Sequence, residues 1–393
     1  MTTGLSIDGI ILGQTRLGAV DGAAGQLSFC GYDLHDLVAY ACWEEVAYLL
    51  WYGDLPTPRQ LDDLRERLAA ARDLTDAELA LLRASAVAQT GMAALPFGGH
   101  AMDALCAAIL ALAQLQPSPP MRADTILDAG LHLTAKLPTI LTTIVRLRES
   151  KEPVTPDPRL DHASNFLLTL HGTPPDEAAA RALNAYLVLM AENGLNISTF
   201  VARVVTSTQN DLYTAITAAI STLKGLAHGG ANEYAMRTFL AIGSPERAAD
   251  YIAELLARRE RLMGVGHRVF EVEDPRVRHM RRLSAQLAEH SGAHPSAQSG
   301  CSHAIAVAVE KVIQEHPFFR QRKLYPNVEF YSASLLDQLG LPLDCFTAVF
   351  ACARMPGWVA HIREQLADNR LVRPEAAYIG PARRQFVPLE QRH

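Results

Sequence analysis

The chain has 393 residues, of which 49% are apolar and 20% charged, and its formal net charge is −6. So large an apolar share excludes a disordered chain, and the acidic balance argues against a general nucleic-acid or membrane-surface binder. Aromatic residues make up only 7%, while alanine and leucine dominate the apolar share, which favours helices over strands. The length predicts two or three domains, at roughly 150 residues per domain.

Cysteine and terminal patterns narrow the class of protein further. The six cysteines are scattered and form no CxxC pair, which argues against a zinc site or a redox motif, so no metal is expected. The first residues lack a basic start followed by a long apolar run, so we expect no signal peptide. No stretch of about 20 residues is both apolar and uncharged, so no membrane span is expected. These patterns predict a cytoplasmic protein.

Helical spacing of apolar residues dominates the chain after a glycine-rich start. Residues 5–35 contain glycines and short strand-like pieces, and residues 36–51 then repeat apolar side chains at helical spacing. Breaks rich in proline or glycine follow at residues 151–158, 225–230 and 264–266. The pattern predicts an all-α chain of about fifteen helices that ends in about 25 residues of coil.

Two of the glycine-rich breaks carry histidines. Glycines follow His228 directly, and a helix is expected just beyond, whose N-terminus would favour negative charge near the imidazole. A turn with a surface histidine explains the same pattern. The segment Gly264-Val265-Gly266-His267 lacks the third glycine and the preceding strand of a dinucleotide fingerprint. It would expose backbone amides near Arg276, which suits a carboxylate, although a helix end with solvated basic residues fits equally well.

Two further segments place polar groups in apolar surroundings. Glu329 stands among apolar and aromatic neighbours, which would raise its pKa toward that of a general base. The alternative is a first helical turn beside an N-cap. Arg354, Trp358 and His361 share one helical face, which is as often a contact between helices as a site. Together the histidines, the carboxylate and the arginines suit carbon–carbon chemistry on a polyanionic acid.

Motifs along nearly the whole chain resemble those of the citrate synthase family, in the short bacterial form that includes 2-methylcitrate synthases. They include GQLSFCGYDLHDL, WEEVAYLLWYGDLPT, NGLNISTFVARVVTST, KGLAHGGANE, GVGHRVFEVEDPR, PNVEFYSASLLDQLGLP and ARMPGWVAHIREQ. The resemblance implies a mostly helical homodimer. Residues 1–225 and 341–393 would form a large helical domain, and residues 226–340 a smaller inserted helical domain that closes over the substrates.

The resemblance also implies an acyltransferase reaction. Acetyl-CoA or propionyl-CoA would condense with oxaloacetate, a 2-oxo dicarboxylic acid, to give citrate or 2-methylcitrate plus CoA. The CoA thioester would then be a substrate, with no metal or other cofactor needed, and neither nucleic acid nor a membrane is an expected partner.

Roles follow from the matching positions. His228 resembles the histidine that stabilises the enol of the acyl group, His267 the acid that activates the keto carbonyl, and Glu329 the catalytic base. The resemblance assigns substrate binding to four positions, Asn193, Arg276, Arg354 and Arg373. It assigns contacts with CoA to four more, Val265, Gly266, Arg268 and Lys323. Arg373 would reach across the dimer.

Four positions depart from the family pattern. Glu329 stands where the family has an aspartate, so the side chain of the expected base is one methylene longer. Asn193 stands where the family has a histidine that helps to bind oxaloacetate, and an amide cannot become a cation. Glu271 replaces a basic residue that lies toward the CoA phosphates, and residues 29–32 lack the family's arginine.

These departures leave three functions open. The chain would condense an acyl-CoA with oxaloacetate, or be a divergent paralog that uses another 2-oxo acid or acyl-CoA, or be a non-catalytic ligand-binding relative. The non-catalytic alternative predicts stabilisation by the ligand without turnover.

Overall fold

The computed structural model describes residues 10–87, 99–115, 120–267, 269–290 and 294–392. Seventeen α-helices and one small sheet lie within these residues, which confirms the all-α prediction. The helices, numbered in chain order, are Leu34–Tyr40 (α1), Trp43–Tyr52 (α2), Pro58–Arg72 (α3), Asp76–Val87 (α4), Ala101–Leu112 (α5), Ile126–Arg148 (α6), His162–His171 (α7), Glu177–Met190 (α8), Ile197–Ser207 (α9), Leu212–Leu223 (α10), Ala231–Ile242 (α11), Ala248–Ala257 (α12), Val277–His290 (α13), Ser302–Glu315 (α14), Pro317–Gln321 (α15), Val328–Gln338 (α16) and Phe346–Ala367 (α17).

The expectation of one helix across residues 36–51 is wrong, because the chain breaks between α1 and α2. Ala41 and Cys42 are extended there, and the backbone N–H of Cys42 donates to Glu45 Oε2 at 2.7 Å. This contact is one of the two hydrogen bonds of a capping box, at which a second helix, α2, begins. Apolar spacing runs on across the break, so the periodicity alone does not reveal it.

Helix α17 is the centre of the core. Almost all of its residues are buried, from Phe346 to Ile362, as expected of a helix that is covered on every side. It packs against α2, α6, α8 and α9. Gly357 lets α17 approach the end of α8 closely, since a Cβ at this position would lie 2.3 Å from the carbonyl oxygen of Ala191.

The glycine-rich start forms an antiparallel sheet of Gly18–Asp21 (β1), Gln26–Phe29 (β2) and Tyr32–Asp33 (β3). Its first turn packs against the loop that follows His267. The carbonyl oxygen of Gly22 accepts from the backbone N–H of Glu271 at 2.9 Å, and a Cβ on Gly22 would lie 2.1 Å from Val269 O. The sheet therefore holds the His267 loop in place from outside the helical core.

Helices α11 to α16 pack against one another, and α13 also packs against α8. Two histidine pairs add to this contact. His35 Nδ1 lies 2.7 Å from His279 Nε2, and the rings of His171 and His294 stack with centroids 4.0 Å apart. Each pair joins the segment around α13 to α1 or α7. No described helix is both long and apolar enough to cross a membrane.

These pairs make stability depend on pH. Burial is the main cause that lowers the pKa of His279 and of His171 to about 4, and the neighbouring histidine adds to it. An unfolded histidine takes up its proton near pH 6.5, so below that pH the unfolded state binds more protons. We therefore expect the free energy of unfolding to fall as the pH drops from about 6.5 to about 4.

The variant His279→Gln should show a shallower fall in the free energy of unfolding over this range, measured by urea denaturation at several pH values. His132 is exposed and supplies the matched control, His132→Gln, whose slope should equal that of the unchanged protein. Equal slopes for His279→Gln and the unchanged protein would contradict the prediction.

Candidate active site

Two buried arginines lie at the end of α8. Arg276 precedes α13 and Arg354 lies in α17, with only 2% and 1% of their surfaces exposed. Both touch Met190, the last residue of α8: its carbonyl oxygen accepts from Arg354 Nε at 2.5 Å, and its sulfur lies 4.0 Å from a terminal nitrogen of Arg276. The structure thus brings together two residues that are 78 positions apart in the sequence.

The two arginines differ in how their charge is balanced. Arg276 forms two hydrogen bonds with the buried carboxylate of Asp274, at 2.9 and 2.6 Å. Although burial favours the neutral acid, Arg276 keeps the pKa of Asp274 below its ordinary value. The terminal nitrogens of Arg354 are buried and have no hydrogen-bond partner among the described residues. Burial lowers the pKa of Arg354 to about 10, which leaves it charged at neutral pH and available to an anion.

His228 lies in the turn between α10 and α11, as the glycine pattern predicts. Its Nε2 accepts from the backbone N–H of Ser198 at 3.4 Å and lies 2.9 Å from Ser198 Oγ. Trp358 Nε1 donates to the same Oγ at 3.3 Å. These contacts fix one edge of the imidazole, while its Nδ1 forms no hydrogen bond with the described residues. Burial lowers the pKa of His228 to about 4, with further contributions from Arg354 and Arg276, so the ring is neutral at neutral pH.

The loop after Gly266 holds His267 in one tautomer. Its Nδ1 accepts from the backbone N–H groups of Val269 and Phe270, both at 3.0 Å. Burial, together with the charge of Arg276, lowers the pKa of His267 to about 4. The neutral ring therefore carries its proton on Nε2, where it can donate to an electron-rich oxygen.

Glu329 lies in the first turn of α16, which begins before it at Val328. The interpretation of this segment as a first helical turn is confirmed, and the charges of Arg276 and Arg354 also act on the carboxylate. Burial raises the pKa of Glu329, with the charge of Arg276 opposing this shift. No other side chain in the described part of the chain forms a hydrogen bond with its carboxylate, although a hydrogen bond from the backbone N–H of Glu329 itself opposes the rise in pKa. A carboxylate with a raised pKa and no side-chain partner is suited to accept a proton.

Asn193 follows α8 beside a buried hydrogen-bonded pair that the sequence pattern does not reveal. Its Oδ1 is buried and lacks a hydrogen-bond partner among the described residues. The neighbouring Glu192 is fully buried, with Oε1 3.0 Å from Nε2 of His361. The face of α17 that carries Arg354, Trp358 and His361 therefore contacts neighbouring segments, and these contacts also position residues of the candidate site.

The loop proposed to contact CoA is already tied to the start of α16. Val265 pairs with Pro326, and Gly266 donates its N–H to Tyr325 O at 2.7 Å while its own carbonyl accepts from Asn327 Nδ2 at 2.9 Å. Gly266 has a φ of 86°, which favours glycine at this position. Arg268 lies outside the described residues.

A pocket of about 320 Å³ opens beside this loop. Its lining includes Arg322 and Lys323 together with the carboxylates of Glu271 and Asp274, so two cations and two carboxylates face the same space. Asp274 is already paired with Arg276, which leaves Glu271 as the other acidic group. Arg373 lies elsewhere, exposed in the extended segment that follows α17. Within a single chain the structure therefore brings His228, His267 and Glu329 within the field of Arg276 and leaves Arg373 apart.

Several residues of the site carry no clear signal in the sequence. Ser198 and Met190 act through contacts with residues far along the chain, so no local pattern identifies them. Asp274 pairs with Arg276 only two positions away, and this close spacing of opposite charges is the signal that could have found it. Tyr186 lies on α8 one turn before Met190, on the same face of the helix. No group of three or more potential metal ligands lies together among the residues that the structure describes.

Comparison with known proteins identifies the family of the chain. The family model described as "Citrate synthase, C-terminal domain" matches residues 4–375. The chain is 40% identical over 391 residues to a citrate synthase of Haloferax volcanii, with 98% of each chain covered. It is 36% identical to 2-methylcitrate synthase 1 of Corynebacterium glutamicum, covering 98% of this chain and 97% of that protein.

Comparison with a solved structure gives the same family as the sequence comparisons. The citrate synthase of Thermoplasma acidophilum, in a ternary complex with carboxymethyl coenzyme A and oxaloacetate, superimposes with a TM-score of 0.87 at 30% identity, and 98% of each chain is covered. Identity of this level over the full length, together with the shared fold, assigns the family. The chain belongs to the citrate synthase family and is an acyltransferase of that type.

Proposed function

We propose that this enzyme condenses acetyl-CoA or propionyl-CoA with oxaloacetate, giving citrate or 2-methylcitrate and free CoA. The observation that carries the proposal is that the charge of Arg276 acts on His228, His267 and Glu329 alike. The charge of Arg354, whose terminal nitrogens have no hydrogen-bond partner among the described residues, acts on His228 and Glu329 as well. This arrangement supplies a base, two neutral imidazoles and an anion site in one buried place. The CoA thioester enters as a substrate, so the reaction uses no separate cofactor.

In the proposed mechanism the Glu329 carboxylate removes a proton from the carbon next to the thioester carbonyl. His228 stabilises the enol oxygen, and His267 donates from Nε2 to the keto oxygen of oxaloacetate. The enol carbon then bonds to the keto carbon, and the keto oxygen takes up a proton from His267, which the proton removed by Glu329 replaces overall, to become a hydroxyl. Water finally attacks the thioester carbon, the carbon–sulfur bond breaks, and a proton of the water passes to the sulfur, so that CoA leaves as its thiol.

Domain closure belongs to the same proposal. Residues 226–340 would move as a small domain over the substrates, carrying His228, His267 and Glu329 toward Arg354 in the large domain. The mutual packing of α11 to α16 supports a unit of this extent. Closure would exclude water from the enol, which protects it from protonation by solvent.

Replacing the base tests the proposal directly. We expect Glu329→Gln to lower kcat by about 10² to 10⁴-fold, since it removes general-base catalysis. The assay is the release of free CoA from acetyl-CoA or propionyl-CoA with oxaloacetate. Both histidines stay neutral above about pH 4, so the rise of kcat/KM with pH should report ionisation of Glu329. This rise should be absent in Glu329→Gln and present in Glu329→Asp.

The same assay separates the alternatives. A panel of other 2-oxo acids and acyl-CoA thioesters should be used more slowly than oxaloacetate with acetyl-CoA or propionyl-CoA. A clear preference for a different pair would identify a divergent paralog. Thermal stabilisation by oxaloacetate without any release of CoA would instead indicate a ligand-binding relative. A large gain on combining Glu329→Asp with Asn193→His would show that these two departures limit the condensation.

We also propose that the pocket beside His267 receives the phosphates of CoA, with Arg322 and Lys323 as the attracting charges. Glu271 lines the same pocket and would repel the phosphates. The variant Glu271→Gln should therefore lower KM for the acyl-CoA by roughly 2- to 5-fold at low salt, with a smaller effect at high salt. Glu254→Gln removes an equal charge from the exposed face of α12 and is the matched control. An unchanged KM in Glu271→Gln would contradict this placement.

A homodimer is proposed because the segment after α17 is extended and exposes large apolar side chains. Leu371, Tyr378, Ile379 and Phe386 are 61% to 80% exposed. Such side chains gain by burial against another surface, and a second copy of the chain would supply one. Arg373 lies at the start of this segment, so we propose that it completes the site of the partner subunit.

Mixed dimers test this exchange. Homodimers of Arg373→Gln and of Glu329→Gln should both have low activity. If Arg373 serves the other subunit, a mixed dimer places both defects in one site and leaves the second site intact, so about half of the unchanged activity should return. If Arg373 acts within its own chain, both sites of the mixed dimer carry a defect and no activity returns, which would overturn the assignment. Differently tagged chains allow the mixed dimer to be purified.

A further inference from the structure

The hydroxyl of Tyr186 is a buried polar group that the catalytic roles above do not use. Its side chain is 0% exposed, and its oxygen has no hydrogen-bond partner among the described residues. A buried hydroxyl without a partner destabilises a fold, so unpaired groups of this kind in native proteins call for an explanation. A bound substrate that accepts the hydrogen bond would provide one.

The position of Tyr186 supports this explanation. It lies on α8 one helical turn before Met190, so both residues face the same way. Met190 is the residue that touches Arg276 and Arg354. The tyrosine hydroxyl is thus presented on the side of α8 that faces the two guanidinium groups.

The charges around Tyr186 agree with this placement. Burial raises the pKa of Tyr186, and the nearby Glu329 carboxylate raises it further, while Arg354 opposes the shift. The phenol therefore stays protonated and acts as a neutral donor. It cannot serve as a base, so its chemistry in the site is limited to donating a hydrogen bond to an anion or a carbonyl oxygen.

The terminal nitrogens of Arg354 are also buried donors without a partner among the described residues, and the charge of Arg354 acts on Tyr186. A carboxylate has two oxygens and can accept from a guanidinium and a hydroxyl together. We propose that Tyr186 is a further substrate-binding residue, whose hydroxyl donates to the carboxylate of the 2-oxo acid that Arg354 pairs with. The assignment rests on the proposed function for the identity of the acid.

The variant Tyr186→Phe tests the proposal, since it removes only the hydroxyl. Loss of one hydrogen bond to a charged group should raise KM for oxaloacetate by about 10- to 100-fold. KM for the acyl-CoA should stay within about twofold, and the melting temperature should not fall because the lost hydroxyl had no partner in the free protein. A role confined to packing would not separate the two KM values in this way. Tyr251→Phe, on α12, is the matched control and should leave both unchanged.

Calorimetric titration of oxaloacetate into the free protein keeps this test separate from the test of turnover. If the unchanged protein binds oxaloacetate without releasing CoA, the proposed condensation fails, while weaker binding to Tyr186→Phe still supports the role of the tyrosine. Equal binding and equal KM for Tyr186→Phe and the unchanged protein would overturn that role, even in an active enzyme. If the unchanged protein does not bind oxaloacetate at all, both proposals fall.

Discussion

Two positive charges buried side by side are the constraint on which the site depends. A guanidinium group taken out of water is costly unless other groups in the protein compensate it. Asp274 compensates Arg276 by accepting two hydrogen bonds from its guanidinium. Arg354 donates to the carbonyl of Met190, lies 5.0 Å from the centre of the Phe350 ring and interacts with the charge of Glu192, but its terminal nitrogens have no hydrogen-bond partner among the described residues. The charge of Arg276 is thus neutralised within the protein, whereas that of Arg354 remains available to a ligand. An incoming carboxylate would stabilise the folded state as well as bind to it.

The same charges set the protonation of the surrounding groups. They help burial to keep His228 and His267 neutral, so that both imidazoles can act through hydrogen bonds without carrying charge themselves. They oppose the rise in the pKa of Glu329, and so favour the ionised form that a base requires. Arginine charge and burial therefore act in the same direction on the histidines and in opposite directions on the carboxylate. The two arginines therefore favour the neutral form of the histidines and the ionised form of the carboxylate at the same time.

The fold brings these groups together through a few close contacts. Gly357 allows α17 to lie against the end of α8, and Gly22 allows the small sheet to lie against the loop of His267. A side chain larger than hydrogen at either position would push apart elements that carry site residues. The departures from the family pattern at Asn193 and Glu329 fall within this closely packed region, where even a small displacement alters the geometry that the reaction needs.

The sequence by itself determined the class of fold, the family and the identity of the main candidates. Apolar spacing and glycine breaks are local, so they predicted helices and the turns that hold His228 and His267. They did not predict the break at Ala41 and Cys42, because a capping contact ended the helix while the apolar spacing continued. Only the tertiary structure decided that the neighbouring pair Asp274 and Arg276 is buried, that Ser198 orients His228 and that Tyr186 lies near Arg354 without a hydrogen-bond partner among the described residues. Each of these depends on contacts in space and on burial, which local spacing does not encode.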